Sequence, residues 1–253
     1  MMTTAPQTTP ENLTDQQTAT YRQNGFVRIP GILSPDEVAR FYEAALDLAA
    51  NGHTFSNQAV FQQLVNVWTQ SEIMKELTLH ANIGRVAQQL AGVPLRLWHD
   101  QILIKKPHNE TPTQFHQDQP YWPHTNSSNP ITAWIALCDV PVERGCMTFI
   151  PGSQERTELP PQNLNDAKSL FGICPELVWE ERVTIPLRAG DCTFHHGRCA
   201  HMATPNFTDE PRVAHAIIYM DAVTRFSGAP HPVTQRLELQ IGEALDRELF
   251  PLA

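Results

Sequence analysis

The sequence predicts an α+β protein: a strand-rich body of β-sandwich or jelly-roll type, with helices gathered mostly on its N-terminal side. Three observations predict it. Apolar stripes of helical period occur only before residue 92. From about residue 95 the chain breaks into short runs bounded by turn residues. The 21 prolines suit loops and strand edges, as a fold with many turns requires.

Taken in order, residues 1–18 (MMTTAPQTTPENLTDQQT) lack the charged-then-apolar pattern of a secretory leader. Residues 1–20 are therefore expected to form a flexible polar tail, and 21–253 a single domain. GFVRIPGIL (25–33) reads as a short strand leading into a helix. Ser34 caps that helix, Pro35 takes its first position and Glu37 reaches back to the cap. Val38, Phe41, Tyr42, Ala45 and Leu48 form its apolar stripe, which stops at Asn51-Gly52. A second helix is expected over 81–91, with Ile83, Val86, Ala87 and Leu90 on one face. Both helices serve packing. Strands are expected over 95–105, 131–139, 146–150, 182–187, 191–196 and 212–221. Residues 153–181 are polar and weakly periodic, so they should leave the sheet as a long excursion.

Composition excludes several classes. The hydrophobic fraction of 41% and charged fraction of 18% are ordinary for a globular chain with a sizeable core. A net charge of −9 without any basic run argues against a nucleic-acid partner. No continuous apolar stretch is long enough to span a bilayer. Cys138, Cys146, Cys174, Cys192 and Cys199 form no CxxC pair and are odd in number, which suits reduced thiols in a cytoplasmic protein.

The chemistry centres on QFHQDQPYW (114–122). His116 and Asp118 stand two apart, the strand repeat that points side chains the same way, and both are good metal ligands. Alone, the pair is also what a surface histidine beside a solvated aspartate looks like. A second histidine-rich stretch, GDCTFHHGRCAHMATPNFTDEPR (190–212), offers His195, His196 and His201 as a third ligand. Two histidines and one carboxylate with open positions would suit a non-haem Fe(II) oxygenase. Tetrahedral zinc with Cys199 is the alternative, without the spacing of a closed site. Arg212 follows His201 by eleven residues, across a segment full of turn formers that reads as a hairpin. Such a hairpin would return Arg212 beside His201, on a face shared with Ala214, Ala216 and Ile218. Its donor fork suits a carboxylate; a rim arginine paired with Asp209 or Glu210 is the plainer reading.

The order of these residues resembles the phytanoyl-CoA dioxygenase family of Fe(II)/2-oxoglutarate-dependent oxygenases, from about Gly25 to Tyr219. The matching blocks are GFVRIPGILSPDEV, FHQDQPYW, WIALCDVPVERGCMTFIPGS and GDCTFHHGRCAHMATPNFTDEPRVAHAIIY. The resemblance implies a double-stranded β-helix (a cupin-like jelly roll) with His116, Asp118 and His201 as iron ligands. It implies that Arg212 binds the distal carboxylate of 2-oxoglutarate and that Trp134 lines the co-substrate site. His196 matches a family histidine that is not a ligand, and His195 falls where other residues are common. Arg144 and Gln154 stand where the family usually has asparagine and histidine, both around a turn rather than at the metal. Of Lys105 and Lys106, one is expected to help hold the co-substrate, taken as Lys106. Gln101, Tyr121 and Trp122 are candidates for substrate contact, and Phe61, His108 and the 153–181 segment could shape selectivity.

The function implied is oxidation of an unactivated C–H bond of a small-molecule metabolite, with O2 as oxidant and succinate and CO2 as co-products. Halogenases of this superfamily carry a small residue where Asp118 stands, so hydroxylation is expected rather than halogenation. Two other classes compete: a metal-dependent jelly-roll enzyme that does not use 2-oxoglutarate, and a non-catalytic jelly-roll binding protein. Arg212 argues against the first and an intact ligand set against the second.

Overall fold

A computed structural model describes residues 13–51, 56–57 and 60–253. The chain opens with α1 (Asp15–Asn24) and β1 (Phe26–Ile29), then α2 (Pro35–Asn51), β2 (Ser56–Asn57) and β3 (Gln62–Val65). Helices α3 (Glu72–Thr78) and α4 (Ala81–Ala91) precede β4 (Leu95–Lys105). Strands β5 (Thr113–His116), β6 (His124–Thr125), β7 (Ile131–Ala136) and β8 (Met147–Phe149) follow. After a short helix α5 (Ser169–Ile173) come β9 (Val183–Ile185), β10 (Cys192–His196), β11 (His201–Ala203), β12 (Arg212–Asp221) and β13 (Arg225–Phe226).

The helix starts follow their local chemistry. The Ser34 backbone N–H donates to Glu37 Oε2 at 2.8 Å, and the Glu37 N–H donates to Ser34 Oγ at 3.3 Å, the reciprocal cap expected from sequence. At its other end α2 runs to Asn51, and Gly52 lies outside the described residues. The expected tail over residues 1–20 overlaps the start of α1. Residues 1–12 also lie outside the described residues, but Thr14 and Gln17 form a second capping box and the chain is helical from Asp15. That helix buries only Tyr21, so no apolar stripe marks it in the sequence.

Two antiparallel sheets carry the body. The larger has the order β1-β10-β7-β12-β4-β3-β2 and the smaller β5-β11-β8-β9. Helices cover the outer face of the larger sheet. There Phe41, Met74, Leu77 and Ile83 meet Ile102, Ile104, Ile135, Phe194 and Ile217 in one apolar layer. The inner face packs Trp134, Ala214 and Ala216 against Met147 and Phe149 of the smaller sheet, and Phe26 stacks on Phe149 with ring centroids 4.4 Å apart. Covered on both sides, β7 and β12 are buried at every residue. The 153–181 segment leaves the sheets, as expected, over a small third cluster that includes Phe115, Leu170 and Leu177.

One topological expectation fails. The stretch from His201 to Arg212 is not a hairpin. β11 pairs with β5 and β8, whereas β12 pairs with β4 and β7, so the connection crosses from one sheet to the other. Turn residues show that a chain reverses but not which sheet receives it. Arg212 therefore reaches the same cavity as His201 from the opposing sheet.

Candidate active site

Strand parity and register build the floor of a cavity of about 310 Å³ between the two sheets. Across the larger sheet, His195 pairs with Thr132, Thr132 with Ile218, and Ile218 with His99. The next inward row is Thr193, Trp134, Ala216 and Gln101, and at the far end Arg212 pairs with Lys105. A β-bulge at Trp98, where His99 pairs with Ile218 and Leu97 with Tyr219, ends the regular ladder beside the cavity.

The smaller sheet supplies the other wall. His116 ends β5 directly opposite His201, the first residue of β11. Asp118 is not on the strand: its φ of −77° and ψ of −43° turn the chain back into a helical turn over Gln119–Tyr121. The expected strand alternation of His116 and Asp118 is thus replaced by a turn that brings them to one point. The N–H groups of Asp118 and Gln119 both donate to Gly197 O, at 2.9 and 2.8 Å. Gly197 has little choice of residue, since a Cβ there would lie 2.7 Å from the Trp122 ring. Gln117, between the ligands, donates to Arg198 O at 2.7 Å and Arg156 O at 2.9 Å, pinning the turn from behind.

Donor atoms of His116, Asp118 and His201 lie within 4.8 Å of one another. Both imidazoles have Nδ1 tied to a backbone carbonyl: His116 to Gln114 O at 2.7 Å and His201 to Cys199 O at 2.9 Å. This sets the proton on Nδ1 and leaves each Nε2 lone pair free towards the common point. Burial opposes the charge on Asp118, but the imidazoles of His201, His116 and His195 gathered around it outweigh that cost and hold the carboxyl well below its usual range. Burial pushes His201 down to about 3 despite that carboxylate. Two imidazoles with free Nε2 lone pairs and a carboxylate fit a divalent iron, with positions left open. Burial also pushes the Cys199 thiol up to about 12, and Cys199 is not among the converging ligand atoms, which removes the zinc–thiolate alternative.

At the other end stand two buried cations. Arg212 and Lys105 are 2% and 0% exposed. Among the described residues neither has a carboxylate partner: Lys105 donates to Thr111 O at 2.9 Å, Arg212 Nη1 to Leu103 O at 3.3 Å, and Arg212 Nε to nothing. Burial, then Arg212, lowers Lys105 to about 7, and burial lowers Arg212 to about 10. Trp134 lies under the guanidinium, 5.2 Å from ring centroid to Cζ. Gly145, at φ +71°, lets the backbone pass beside both cations; a Cβ would come within 3.1 Å of Arg212 Nε and 3.2 Å of Lys105 Cδ. Buried Asn206 donates to Glu210 O at 2.8 Å and Lys106 O at 3.1 Å, fixing the sheet-to-sheet crossing that delivers Arg212. Such a cationic end fits the distal carboxylate of 2-oxoglutarate.

Most sequence candidates converge here. Arg212, Trp134, Gln101, Tyr121, Trp122 and Phe61 all line the cavity. Lys106 does not: it is exposed, and Lys105 faces inward in its place. His108 pairs with Asp209 at the surface. His196 Nε2 donates to Ser128 O at 3.0 Å, while Nδ1 accepts from the Arg198 N–H, a structural role. Gln154 packs over Gly25 and donates to Gln23 O at 3.1 Å, and Arg144 donates to Pro211 O at 2.8 Å, so both family departures lie away from the metal point. His195 stands closer to the ligand set than the family pattern suggested, with Nε2 at 3.5 Å from Asp118 Oδ2. The wall residues His99 and His231 carried no signal in the sequence.

Similar solved structures define the class. The non-haem alpha-ketoglutarate-dependent carbocyclase SnoK from nogalamycin biosynthesis is 38% identical, with 99% of this chain and 100% of that one covered at a TM-score of 0.88. The epimerase SnoN, solved with Fe3+, alpha-ketoglutarate and nogalamycin RO, is 38% identical over 94% of this chain and 97% of its own, at a TM-score of 0.83. The protein is an iron- and 2-oxoglutarate-dependent oxygenase. Residues 21–214 match the family described as phytanoyl-CoA dioxygenase (PhyH), and the chain belongs to that family. A probable alpha-ketoglutarate-dependent hypophosphite dioxygenase of Stutzerimonas stutzeri is 24% identical over 213 residues, which are 76% of this chain and 73% of that protein. Among the described residues no helix is long and apolar enough to cross a membrane.

Proposed function

We propose that this protein hydroxylates an unactivated C–H bond of a small-molecule metabolite, converting 2-oxoglutarate to succinate and CO2. One observation carries the reading: a cavity with a converging His-Asp-His set at one end and two buried cations lacking acidic partners at the other. His116, Asp118 and His201 would hold the iron, Arg212 with Lys105 behind it would take the distal carboxylate, and Trp134 would wall the co-substrate. When bound, the iron and 2-oxoglutarate supply the oxidising chemistry, coupling decarboxylation to C–H cleavage. The chain's own work is orientation. Backbone carbonyls of Gln114 and Cys199 hold the ligand tautomers, and the Gly197 carbonyl holds the Asp118 turn. Packed residues such as Met147 and Ala216 line the cavity and exclude water.

On this reading the two sheets form a double-stranded β-helix, and residues 21–253 act as one catalytic domain in the cytoplasm. Asp118 occupies the position a halide would need, which favours oxygen transfer. The carbocyclase and epimerase relatives are named for other outcomes, yet closing a ring onto a carbon or inverting it also requires a C–H bond there to break. Product mass from a substrate screen scored by succinate release tests the reading. Turnover under isotopically heavy O2 with excess chloride should place label in a product alcohol. Chlorinated product from the wild type, or succinate release with no oxygenated product, would contradict hydroxylation.

A further inference from the structure

The floor of the cavity carries polar groups that the iron and 2-oxoglutarate sites leave unused. In the row His195–Thr132–Ile218–His99, Thr132 Oγ1 and His99 Nδ1 are buried without a hydrogen-bond partner. Thr132 and His99 are 2% and 5% exposed, and both line the cavity. Unsatisfied buried groups cost stability and call for an explanation. His231 stands beside His99, with ring centroids 5.8 Å apart. Its Nδ1 accepts from the Val233 N–H at 3.2 Å, so the neutral ring presents Nε2–H as a donor. Trp98 backs this wall, 5.1 Å from the His231 ring and 5.7 Å from the His99 ring. Trp122 and Tyr121 line the same cavity.

The charge inventory is equally specific. Among the described residues lining the cavity, Arg212 is the one arginine or lysine; Lys105 is buried behind it, and on the reading above 2-oxoglutarate takes both charges. Burial, followed by His231 and His124, holds His99 well below its ordinary value, and burial lowers His231 to about 4. Both are neutral imidazoles across the working pH range. A substrate anion would thus enter with no unclaimed cation to meet it, a costly arrangement.

Resting on that reading of the site, we propose that the wall formed by Thr132, His99, His231 and Trp122 binds a hydroxylated ring compound that carries no negative charge. Thr132 and the two imidazoles pair with its hydroxyl or ether oxygens, and the indole lies against its ring. Free carboxylic acids, phosphonates and coenzyme A thioesters whose charge must enter the cavity are excluded.

The test is anaerobic calorimetric titration of the Fe(II)·2-oxoglutarate protein with resveratrol, an uncharged hydroxylated diaryl compound, and with its monosulfate. The wild type should bind resveratrol and discriminate against the sulfate by about tenfold or more, because a buried charge without a partner is costly. Thr132→Val and His99→Leu should each weaken resveratrol binding by roughly two- to tenfold, the worth of one hydrogen bond. Affinity for 2-oxoglutarate should stay unchanged in both. Thr132→Val should also keep or raise the melting temperature of the ligand-free protein, since it removes an unsatisfied hydroxyl and keeps the shape. Sulfate bound as tightly as resveratrol, neither probe bound, or unaltered resveratrol binding in folded Thr132→Val overturns the proposal. Failure of the underlying reading is separable: the wild type would then not bind 2-oxoglutarate at all.

Discussion

His116 and His201 each tie Nδ1 to a backbone carbonyl two residues earlier, whereas His99 across the cavity leaves Nδ1 unpaired and His231 uses it only to accept a backbone N–H. All four rings line one cavity, and for His99, His201 and His231 burial lowers the basicity. What separates the two pairs is the state of the second nitrogen. A ring whose outer nitrogen is already committed offers one directed lone pair and suits a metal. A ring with spare capacity suits a ligand that can both give and take hydrogen bonds. His195 lies between these cases: it touches Asp118 at 3.5 Å, and neither ring nitrogen has a hydrogen-bond partner.

The sharpest break between the two histidine sets is iron itself. His116→Ala, Asp118→Ala and His201→Ala should each abolish turnover and iron binding in a protein that keeps its circular dichroism spectrum. By contrast, His195→Ala should retain iron, with a loss no larger than roughly 10- to 100-fold, the usual effect of a partner outside the ligand set. Iron lost from His195→Ala and kept in His201→Ala would reverse the assignment.

Next in size is the cationic end. Arg212→Ala should raise the 2-oxoglutarate requirement by roughly 30- to several-thousand-fold, equivalent to about 2–5 kcal/mol, while iron affinity changes far less. Arg212→Lys should recover only part, since a point charge cannot replace the fork. Equal co-substrate affinity in wild type and Arg212→Ala would remove this residue from the site.

Lys105 gives a smaller effect that depends on pH. Its folded value is lowered to about 7, so the cation is present below that pH and lost above it. Affinity for 2-oxoglutarate should therefore fall as pH rises through neutrality. The loss is about tenfold for each unit by which the bound carboxylate raises the lysine pKa. Lys105→Met should flatten the profile; an unchanged slope in that variant would place the titration elsewhere.

Parity explains both the success and the failure of the sequence at this end. Gln101 and Lys106 are both expected in the site from sequence, yet five residues apart on an unbroken strand they face opposite ways. β4 runs without a register shift from Gln101 to Lys105, where Gln101 pairs with Ala216 and Lys105 pairs with Arg212. Alternation alone selects Lys105. The bounds of β4 and β12 were legible because long runs of β-formers end at clear turns. The metal set was legible only through the order of the family's residues, because Asp118 sits on a turn and the crossing to Arg212 joins two sheets. His99 and His231 left no signal, since each is brought to the cavity wall by neighbours distant in sequence.

The smallest effect belongs far from the cavity. Ser34→Ala removes one half of the α2 capping box and should cost about 0.5–2 kcal/mol in denaturant unfolding. Activity per folded molecule should not change. A loss of activity larger than the loss of folded protein would mean that the helical layer reaches the site.

The most direct measurement is anaerobic titration of the protein with Fe(II) and then 2-oxoglutarate, following the visible metal-to-ligand charge-transfer absorption. The band should rise to saturation in the wild type, require far more 2-oxoglutarate in Arg212→Ala, and be absent in His201→Ala. Iron binding without any such band in the wild type would contradict a 2-oxoglutarate-dependent oxygenase built on these residues.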